Sequence, residues 1–506
     1  MDPYHLLSWK TAAVTLAVYC ASTAFYRVFL HPLARFPGPK LAAITRWYEA
    51  YYDLILDGQY TFKIAEMHKA YGPIIRISPH ELHIIDPAFY EKLYCQDGRW
   101  NKYEWACKGF IANGATICTS LHELHQSRRS PLNHFFSKAK VAARQDIVIR
   151  NVDKLCTMLM RRVGSVVDLG AAASALIQDI QCDFILNKEN GSLDKDDFNV
   201  GVAAMCQNVG FLWRVAKHFP RLALALKSIP LDMVSSVANK NTRIFFQFLQ
   251  GIDKHTEKLL NSAVSTSPDQ VTPRTVVHEI AESNLAPADK SLPRVLNEVQ
   301  TVVAAGLETV SAVLRITLYH IFSEPEILQR LRAELETVST TPSSGDIMDL
   351  KKLEQLPYLT SIIMEALRLS PAIGSRMART ISDRDILYET WSIPAGTPVG
   401  MTTYLMHTDE TLYPEPFRFN PDRWMDVEKR KKAGKTYAPF SRGTRMCAGM
   451  YLAWADLYLT VTALALRFDF EFQDVQSLDF RMLRDEYVIG TKVKAQLNGR
   501  LVLREA

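Results

Sequence analysis

No C-x-x-C pair occurs among the eight cysteines of this 506-residue chain (Cys20, Cys95, Cys107, Cys118, Cys156, Cys182, Cys206 and Cys447). That absence excludes a zinc ribbon, a thioredoxin-like redox site and a dense disulfide framework. The pattern fits a main body held in a reducing compartment. Nor is there a large excess of one charge. Lys plus Arg number 59 and Asp plus Glu 54, leaving +5, too small and too dispersed for nucleic-acid binding. No internal repeat stands out, and no long low-complexity linker divides the chain. At 48% hydrophobic and 22% charged, disorder, collagen and coiled coil are excluded. A chain of this length buries a large core without disulfide staples. Two looser stretches, Ser262–Pro273 and Ser339–Gly345, are expected as surface loops between helices.

One long apolar run is present at the N-terminus. Thr11 to Tyr26 is sixteen residues without a charge. Arg27 can snorkel from its end. As a helix, the run to Leu30 spans roughly 30 Å, one bilayer core. Arg27, Arg35 and Lys40 follow it, against Lys10 and Asp2 before it, which places the large C-terminal part in the cytosol. A cleavable signal peptide is the alternative, with small residues at Ala21, Ser22 and Ala24. The Phe36-Pro-Gly-Pro39 break favours an uncleaved anchor, because it stops the helix and makes a stiff elbow. The expected division is residues 1–35 as anchor and hinge and 36–506 as one globular body. Asn190-Gly191-Ser192 is a glycosylation sequon that would face the cytosol and stay bare.

Most of the body reads as helix. Strand-like runs occur at Ile74–Ile77, Leu82–Ile85, Ile386–Tyr388, Pro398–Met401 and Leu501–Leu503. The expected fold is one large, mainly α domain with small β-sheets. The longest helix candidate runs from about Arg294 to Ile321, starting after Pro293. From Val302 onward it is apolar nearly all round and should be buried. Its middle, Ala304-Ala305-Gly306-Leu307-Glu308-Thr309, departs from a plain core helix. Small residues would let something large lie against the backbone. A glycine costs about 1 kcal/mol against alanine there, and a carboxylate costs more unless paired or protonated. Two costly choices together favour a functional segment.

Phe440-Ser-Arg-Gly-Thr-Arg-Met-Cys-Ala-Gly449 carries the strongest signal. Cys447 would stand at the N-terminus of the apolar helix that starts at Met450, where dipole and free N–H groups favour a thiolate. Gly443 and Gly449 allow a flat cofactor to approach the backbone. Arg445 could pair with a carboxylate on it. Taken alone, a single cysteine is more often an inert buried thiol.

Phe440-x-x-Gly443-x-Arg445-x-Cys447-x-Gly449 resembles the haem-binding signature of the cytochrome P450 family. Three more motifs agree, in the family's order. Ala305-Gly306-x-Glu308-Thr309 resembles its oxygen-activating segment. Glu365-Ala-Leu-Arg368 resembles its E-x-x-R pair. Phe419-Asn-Pro421-Asp-Arg423-Trp424 resembles the segment whose arginine joins that pair. The proline elbow fits membrane-bound, E-class members, and Phe36-Pro-Gly-Pro-Lys-Leu-Ala-Ala looks like fungal ones, most of all the trichodiene-oxygenase type. The resemblance covers essentially the whole chain.

The resemblance implies a set of roles. Cys447 would be the axial ligand of haem iron, Thr309 a hydroxyl for proton delivery and Glu308 a proton relay from solvent. Glu365, Arg368 and Arg423 would form a buried structural network near the cysteine loop. Arg445 and Arg376 would contact haem propionates, and His125 and Arg129 would take the places of the family's W-x-x-x-R. His122-Glu123-Leu124-His125 is one residue short of a zinc-protease motif and lacks a third ligand. The implied cofactor is haem b, with O2 and NADPH as co-substrates. The implied partners are a membrane, NADPH–cytochrome P450 reductase and, as an optional second donor, cytochrome b5. No nucleic acid is implied. The basic run Lys429-Arg430-Lys431-Lys432-Ala-Gly-Lys435 precedes the cysteine loop and would steer an acidic reductase to that face.

The pocket walls by family position are Gly109–Cys118, Met205–Phe211, Val303-Ala304, Ala372–Gly374 and Val488–Gly490. They are apolar, so a hydrophobic terpenoid or polyketide is expected. The implied activity is a reductase-dependent monooxygenase on the endoplasmic reticulum membrane. Alternatives are a haem-thiolate isomerase or dehydratase needing no external electrons, and a membrane-tethered haem or lipid carrier.

Overall fold

A computed structural model describes residues 9–112, 114–229, 239–265, 273–338, 349–492 and 496–504. The body is mainly helical with small sheets, as the sequence pattern predicts. Its core is built around the central helix Leu292–Ser323, which packs on Leu169–Leu186 and on the C-terminal helix Met450–Arg467. The central helix begins one residue before Pro293, which is accepted in the first turn because its missing N–H would be unpaired there anyway. Five short strands form the main sheet, in the order Ile74–Ser78, Glu81–Ile84, Val399–Gly400, Arg379–Thr380, Asn101–Lys102. The first two make an antiparallel hairpin with Ile74 opposite Ile84; Leu82 pairs in parallel with Val399. Asn498–Leu503 lies between Phe468–Phe472 and Val166–Asp168 in a second sheet.

Of the two expected loops, Ser339–Gly345 lies outside the described residues, as do 266–272 of the other. Ser262 to Ser265 instead complete the helix Lys240–Ser265. All seven cysteines whose side chains are described are free. At the sequon, the Asn190 amide donates to Asp179 Oδ1 at 3.2 Å and to Ser192 Oγ at 2.6 Å, and Ser192 is fully buried. As folded, that amide is engaged in both bonds.

Among the described residues, three helices are long and apolar enough to cross a membrane. Leu169–Leu186 and Leu292–Ser323 use their apolar surface inside the fold. Trp9–Leu30, at mean hydropathy 1.5, has none of its apolar window buried. After it the chain turns at the proline elbow. Phe36 stacks on Trp391 at 4.9 Å, and Arg76 N–H donates to Pro37 O at 2.7 Å. The Arg76 guanidinium also holds the Arg27 carbonyl, at 2.7 Å.

Buried neutral histidines tie the strands to the helices. Thr402 Oγ1 donates to His83 Nε2 at 3.0 Å, His83 Nδ1 to His68 Nε2 at 2.7 Å, and His68 Nδ1 to Gly72 O at 2.8 Å. Each ring then has one donor and one acceptor, the neutral state. His407 Nδ1 donates to Arg368 O at 3.1 Å while Nε2 accepts from Ala438 N–H at 2.9 Å. Burial lowers the His68 pKa to about 4 and, with Arg368 adding to it, that of His407 to about 3. Burial also puts His83 well below its ordinary value.

Below pH 6.5 the unfolded chain protonates these rings and the folded chain does not, so stability falls with acid. Their contribution is present above 6.5 and is lost down to about 3–4, at roughly 1.4 kcal/mol per pH unit per histidine. Denaturant unfolding between pH 7 and 5 should show this slope. His407→Gln should reduce it by about 1.4 kcal/mol per unit. An unchanged slope would mean that His407 titrates alike in both states.

Candidate functional site

The fold brings two uneven features together at its centre. On the central helix, Val303, Leu307 and Val310 are at most 5% exposed, yet Ala304 and Ala305 are exposed and Thr309 is partly so. Cys447, just ahead of the C-terminal helix, is likewise exposed by surface area. Burial is nevertheless the largest influence on its thiol and pushes the pKa up, against the Gly449 N–H and the Arg129 guanidinium. Both observations hold when these side chains open onto a space enclosed by the protein. A thiol raised in this way needs a metal cation to be held as thiolate.

The loop before Cys447 is shaped by its backbone. Gly443 has φ +73°, and a Cβ there would lie 2.3 Å from Cys95 O and 2.6 Å from Tyr94 O, so only glycine fits. Cys447 N–H donates to Phe440 O at 2.9 Å, which closes the loop. The Phe440 ring stands 6.2 Å from Trp454 and packs on the main core. A Cβ on Gly449 would meet nothing within 4 Å, so open space begins there.

Four cations converge beside this space. Arg445 donates to Thr119 O and, at 2.7 Å, Ser120 O; Lys102 to Ile117 O at 2.7 Å; Arg129 to Met446 O at 2.7 Å and to Asn133 Oδ1 at 2.6 Å. Arg379 donates to Met377 O at 3.2 Å. Among the described residues none of the four has a carboxylate partner. Arg445 Nε and Arg379 Nη2 are buried without any acceptor. Burial lowers Arg129, takes Arg445 to about 9 with help from Arg379, and takes Lys102 to about 8. His125, 3% exposed, falls to about 2 through burial and then the charges of Arg445, Lys102, Arg129 and Arg379. Uncompensated positive charge at this depth fits an anionic group such as the two propionates of a haem, with the open Cys447 sulfur on the same side.

The structure does not bring Arg376 to this group. Its guanidinium lies 2.7 Å from Glu81 and 2.9 Å from Glu49. Lys217 bridges Glu49 at 2.9 Å and Asp53 at 2.6 Å, and His218 reaches Asp53 at 2.8 Å. Burial works against charge on Glu49, but Arg376 and Lys217 hold its carboxyl below the usual range. Arg379, three residues on, joins the cation group instead. The odd spacing along a run entering a strand turns the two to opposite faces. Arg379 and Lys102 are the residues that sequence reasoning missed; the alternation entering the Arg379–Thr380 strand is the signal for the first.

Glu308 and Thr309 are adjacent but engaged. Thr309 Oγ1 donates to Ala305 O at 2.7 Å, and Glu308 Oε1 pairs with Arg315 at 3.3 Å. Gly306 serves a different purpose from the one expected. A Cβ there would lie 2.5 Å from the Gln181 side-chain amide, so this glycine admits the neighbouring helix.

Glu365, Arg368 and Arg423 do meet. Arg368 and Glu365 are fully buried and joined by two hydrogen bonds, of 2.8 and 2.9 Å. Arg423 reaches Glu365 at 3.2 Å, and Trp424 Nε1 donates to it at 2.9 Å. Arg368 also donates to His407 O at 2.8 Å and Pro416 O at 2.7 Å.

Residues 44–496 match the family described as cytochrome P450. The chain is 37% identical over 455 residues to the cytochrome P450 monooxygenase tpcC of Cochliobolus heterostrophus, covering 88% of this chain and 85% of that one. It is 33% identical over 484 residues to the cytochrome P450 monooxygenase TRI4 of Fusarium sporotrichioides, covering 95% and 92%. It is 32% identical over 516 residues to the cytochrome P450 monooxygenase sdnE of Sordaria araneosa, covering 97% and 98%.

The cation group separates from the Arg376 cluster by experiment. Arg379→Gln and Lys102→Gln should each speed haem loss to an excess of a haem-binding acceptor by at least about tenfold, the scale of one charged hydrogen bond. Arg376→Gln should leave that rate unchanged and lower unfolding stability by about 3–5 kcal/mol, because Glu49 and Glu81 lose a buried counter-charge. Equal haem-loss rates in all three variants would remove Arg379 and Lys102 from the site.

Proposed function

The chain belongs to the cytochrome P450 family and is a haem monooxygenase, and from that premise we propose that it oxygenates a terpenoid or polyketide of fungal specialised metabolism. The overall change is R–H + O2 + 2 e− + 2 H+ → R–OH + H2O. NADPH supplies the electrons through a flavoprotein reductase, with cytochrome b5 as an optional second donor. One observation carries the site assignment: Cys447 is open inside the fold, beside cations that lack carboxylate partners.

Haem b would be held by the Cys447 sulfur at its iron and by Arg445, Arg379, Lys102 and Arg129 at its propionates, with His125 among them. Bound in this way, it supplies an iron whose thiolate ligand favours O–O cleavage. Gly443 and Phe440 fix the loop that presents the sulfur, and Gly449 leaves room above it. The Thr309 hydroxyl, now turned to Ala305 O, rotates to hand on a proton, and Glu308 feeds it from the Arg315 side. The Glu365–Arg368–Arg423 network holds the loop and takes no part in proton transfer. The basic helix Val427–Ala433 docks the reductase; Arg442, in the cysteine loop, bonds Gly434 O at its end. The monooxygenase relatives favour this reading over an isomerase and over a carrier.

Residues 1–35 form the anchor and hinge of a single-pass protein of the endoplasmic reticulum, and 36–506 the haem-thiolate domain in the cytosol. The exposed Trp9–Leu30 helix supports this. A second apolar surface adjoins it in sequence: Trp47, Tyr51 and Ile55 are exposed at four-residue spacing, and the Trp47 ring lies 5.7 Å from Phe219.

The carbon monoxide difference spectrum of the reduced protein tests the core of the proposal. A strongly red-shifted thiolate band should be present and should vanish in Cys447→Ala; an identical band in that variant would refute the ligand. Thr309→Ala should keep the band and raise NADPH consumed per product severalfold. Unaltered coupling would remove Thr309 from proton delivery.

Deleting residues 1–30 should keep haem and weaken membrane binding without abolishing it. Flotation with liposomes should then lose the remainder when Trp47→Ser and Ile55→Ser are added. A deletion that is already fully soluble would show that the Trp47 surface does not touch lipid.

A further inference from the structure

The turn Thr116–Cys118 has no cap of its own. A helical turn leaves its first N–H groups without partners inside it. Ala115, which precedes this one, has no side-chain oxygen to offer. The acceptor comes from the central helix instead. Glu298 Oε2 receives the Thr116 N–H at 3.0 Å and the Thr116 hydroxyl at 2.7 Å. Arg294, one turn earlier on the same helix, donates to that oxygen at 2.5 Å. Glu298 is 1% exposed and Thr116 3%, so the contact is shielded from bulk water. Gly114 lets the two elements come this close: a Cβ there would lie 3.3 Å from Arg294 Cα.

The capped turn in turn holds two of the four cations beside Cys447. The Ile117 carbonyl accepts from Lys102 Nζ at 2.7 Å. The Thr119 carbonyl accepts from Arg445 Nη1 at 2.5 Å and the Ser120 carbonyl from Arg445 Nη2 at 2.7 Å. Ser120 O also receives the Lys102 N–H at 3.0 Å. A lysine ammonium turns freely on a flexible stem, so its aim is only as fixed as the carbonyl that holds it. Thr119 Oγ1 ties the segment to itself, by donating to Ala115 O at 3.1 Å, and to the helix His122–Phe135, by accepting from Arg128 at 2.9 Å. Glu298 and Arg294, which also reaches Thr116 Oγ1 at 3.2 Å, refer it to the central helix. Glu298 stands eleven residues before Thr309, about 16 Å along the helix, too far to meet the groups proposed for proton delivery.

We infer that Glu298 is a positioning residue: it caps the Thr116–Cys118 turn and, through the carbonyls of Ile117, Thr119 and Ser120, sets the direction in which Lys102 and Arg445 face the haem propionates. This rests on the haem reading above and adds a residue to it. The central helix thereby aligns the cation group as well as the oxygen-activating segment it carries.

The test uses the full-length holoenzyme. The carbon monoxide spectrum of wild type is read first, and absence of the thiolate band there overturns the haem reading itself. With haem bound, two quantities are followed: the rate of haem loss to an excess of a haem-binding acceptor, and the midpoint potential of the iron. Thr116→Val keeps shape and charge and loses the hydroxyl. It should speed haem loss about fivefold, the scale of one hydrogen bond. It should also lower the potential, because cations less well aimed at the haem favour its reduced form less. Thr116→Ser restores the hydroxyl and should keep both at wild-type values. In a Lys102→Gln background the effect of Thr116→Val should shrink to about twofold, since Arg445 alone is left to be misaligned. Glu298→Gln should speed haem loss at least as much as Thr116→Val. It also strips Arg294 of a buried carboxylate, so where that variant does not fold the Thr116 series decides. An equal factor in both backgrounds would make the turn a support of the fold at large and overturn the inference. So would wild-type haem loss in Thr116→Val or in folded Glu298→Gln.

Discussion

Everything at the centre of this protein depends on one buried guanidinium. Arg368 has no contact with water and needs an acceptor for each of its donors. Glu365 takes two of them, and the carbonyls of His407, Pro416 and, at 3.4 Å, Arg418 take one each. A buried ion pair of this kind adds little stability in itself, since desolvation offsets much of the Coulomb attraction. Its value here is geometric. Arg368 O receives His407 Nδ1–H, His407 Nε2 receives Ala438 N–H, and Ala438 stands two residues before Phe440. The position of the cysteine loop is thereby referred to a helix that cannot shift without exposing an unpaired charge.

A second constraint acts in the opposite sense. The Arg376 cluster neutralises its cations with Glu49, Glu81 and Asp53, and so joins the N-terminal segment, the sheet and the end of the Val200–His218 helix. Lys102, Arg129, Arg379 and Arg445 are given backbone carbonyls and an amide instead of carboxylates. Carbonyl dipoles orient these cations without cancelling their charge. Burial first, and then the neighbouring cations, lower the pKa values of His125, Lys102 and Arg445. One cluster is neutralised as folded, and the other carries positive charge that no carboxylate among the described residues cancels.

The sequence discloses this architecture unevenly. Motifs that are contiguous and chemically expensive were legible: the cysteine loop, the Glu365–Arg368 pair and the long central helix with its polar middle. The fold class followed from helical periodicity with strands at both ends. What depended on the facing of one side chain was not legible. Arg376 and Arg379 differ only in which side of an extended run they occupy, and family position pointed to the wrong one of the two for this cation group. Gly306 read as room for a cofactor, whereas the Gln181 side chain of a distant helix occupies that side. Lys102 sits on a two-residue strand with no local pattern to mark it. Such residues acquire meaning only from contacts far away in sequence.

The cysteine loop and the aromatic cluster of Phe110, Trp213 and Tyr487 are held differently. At the cysteine loop, ionic and backbone hydrogen bonds fix positions closely, as the proposed iron ligation requires. Phe110, Trp213 and Tyr487 instead form an aromatic wall, rings whose mutual attraction is broad in angle and weak in energy. Changing one of those rings alters the shape of that wall without loading the Arg368 network. Tyr487 is the exception within that softer wall, since Asp485 and Gly374 fix its backbone in a conformation it would not choose. A backbone fixed in this way keeps one point of a deformable aromatic wall in place while the rings around it yield.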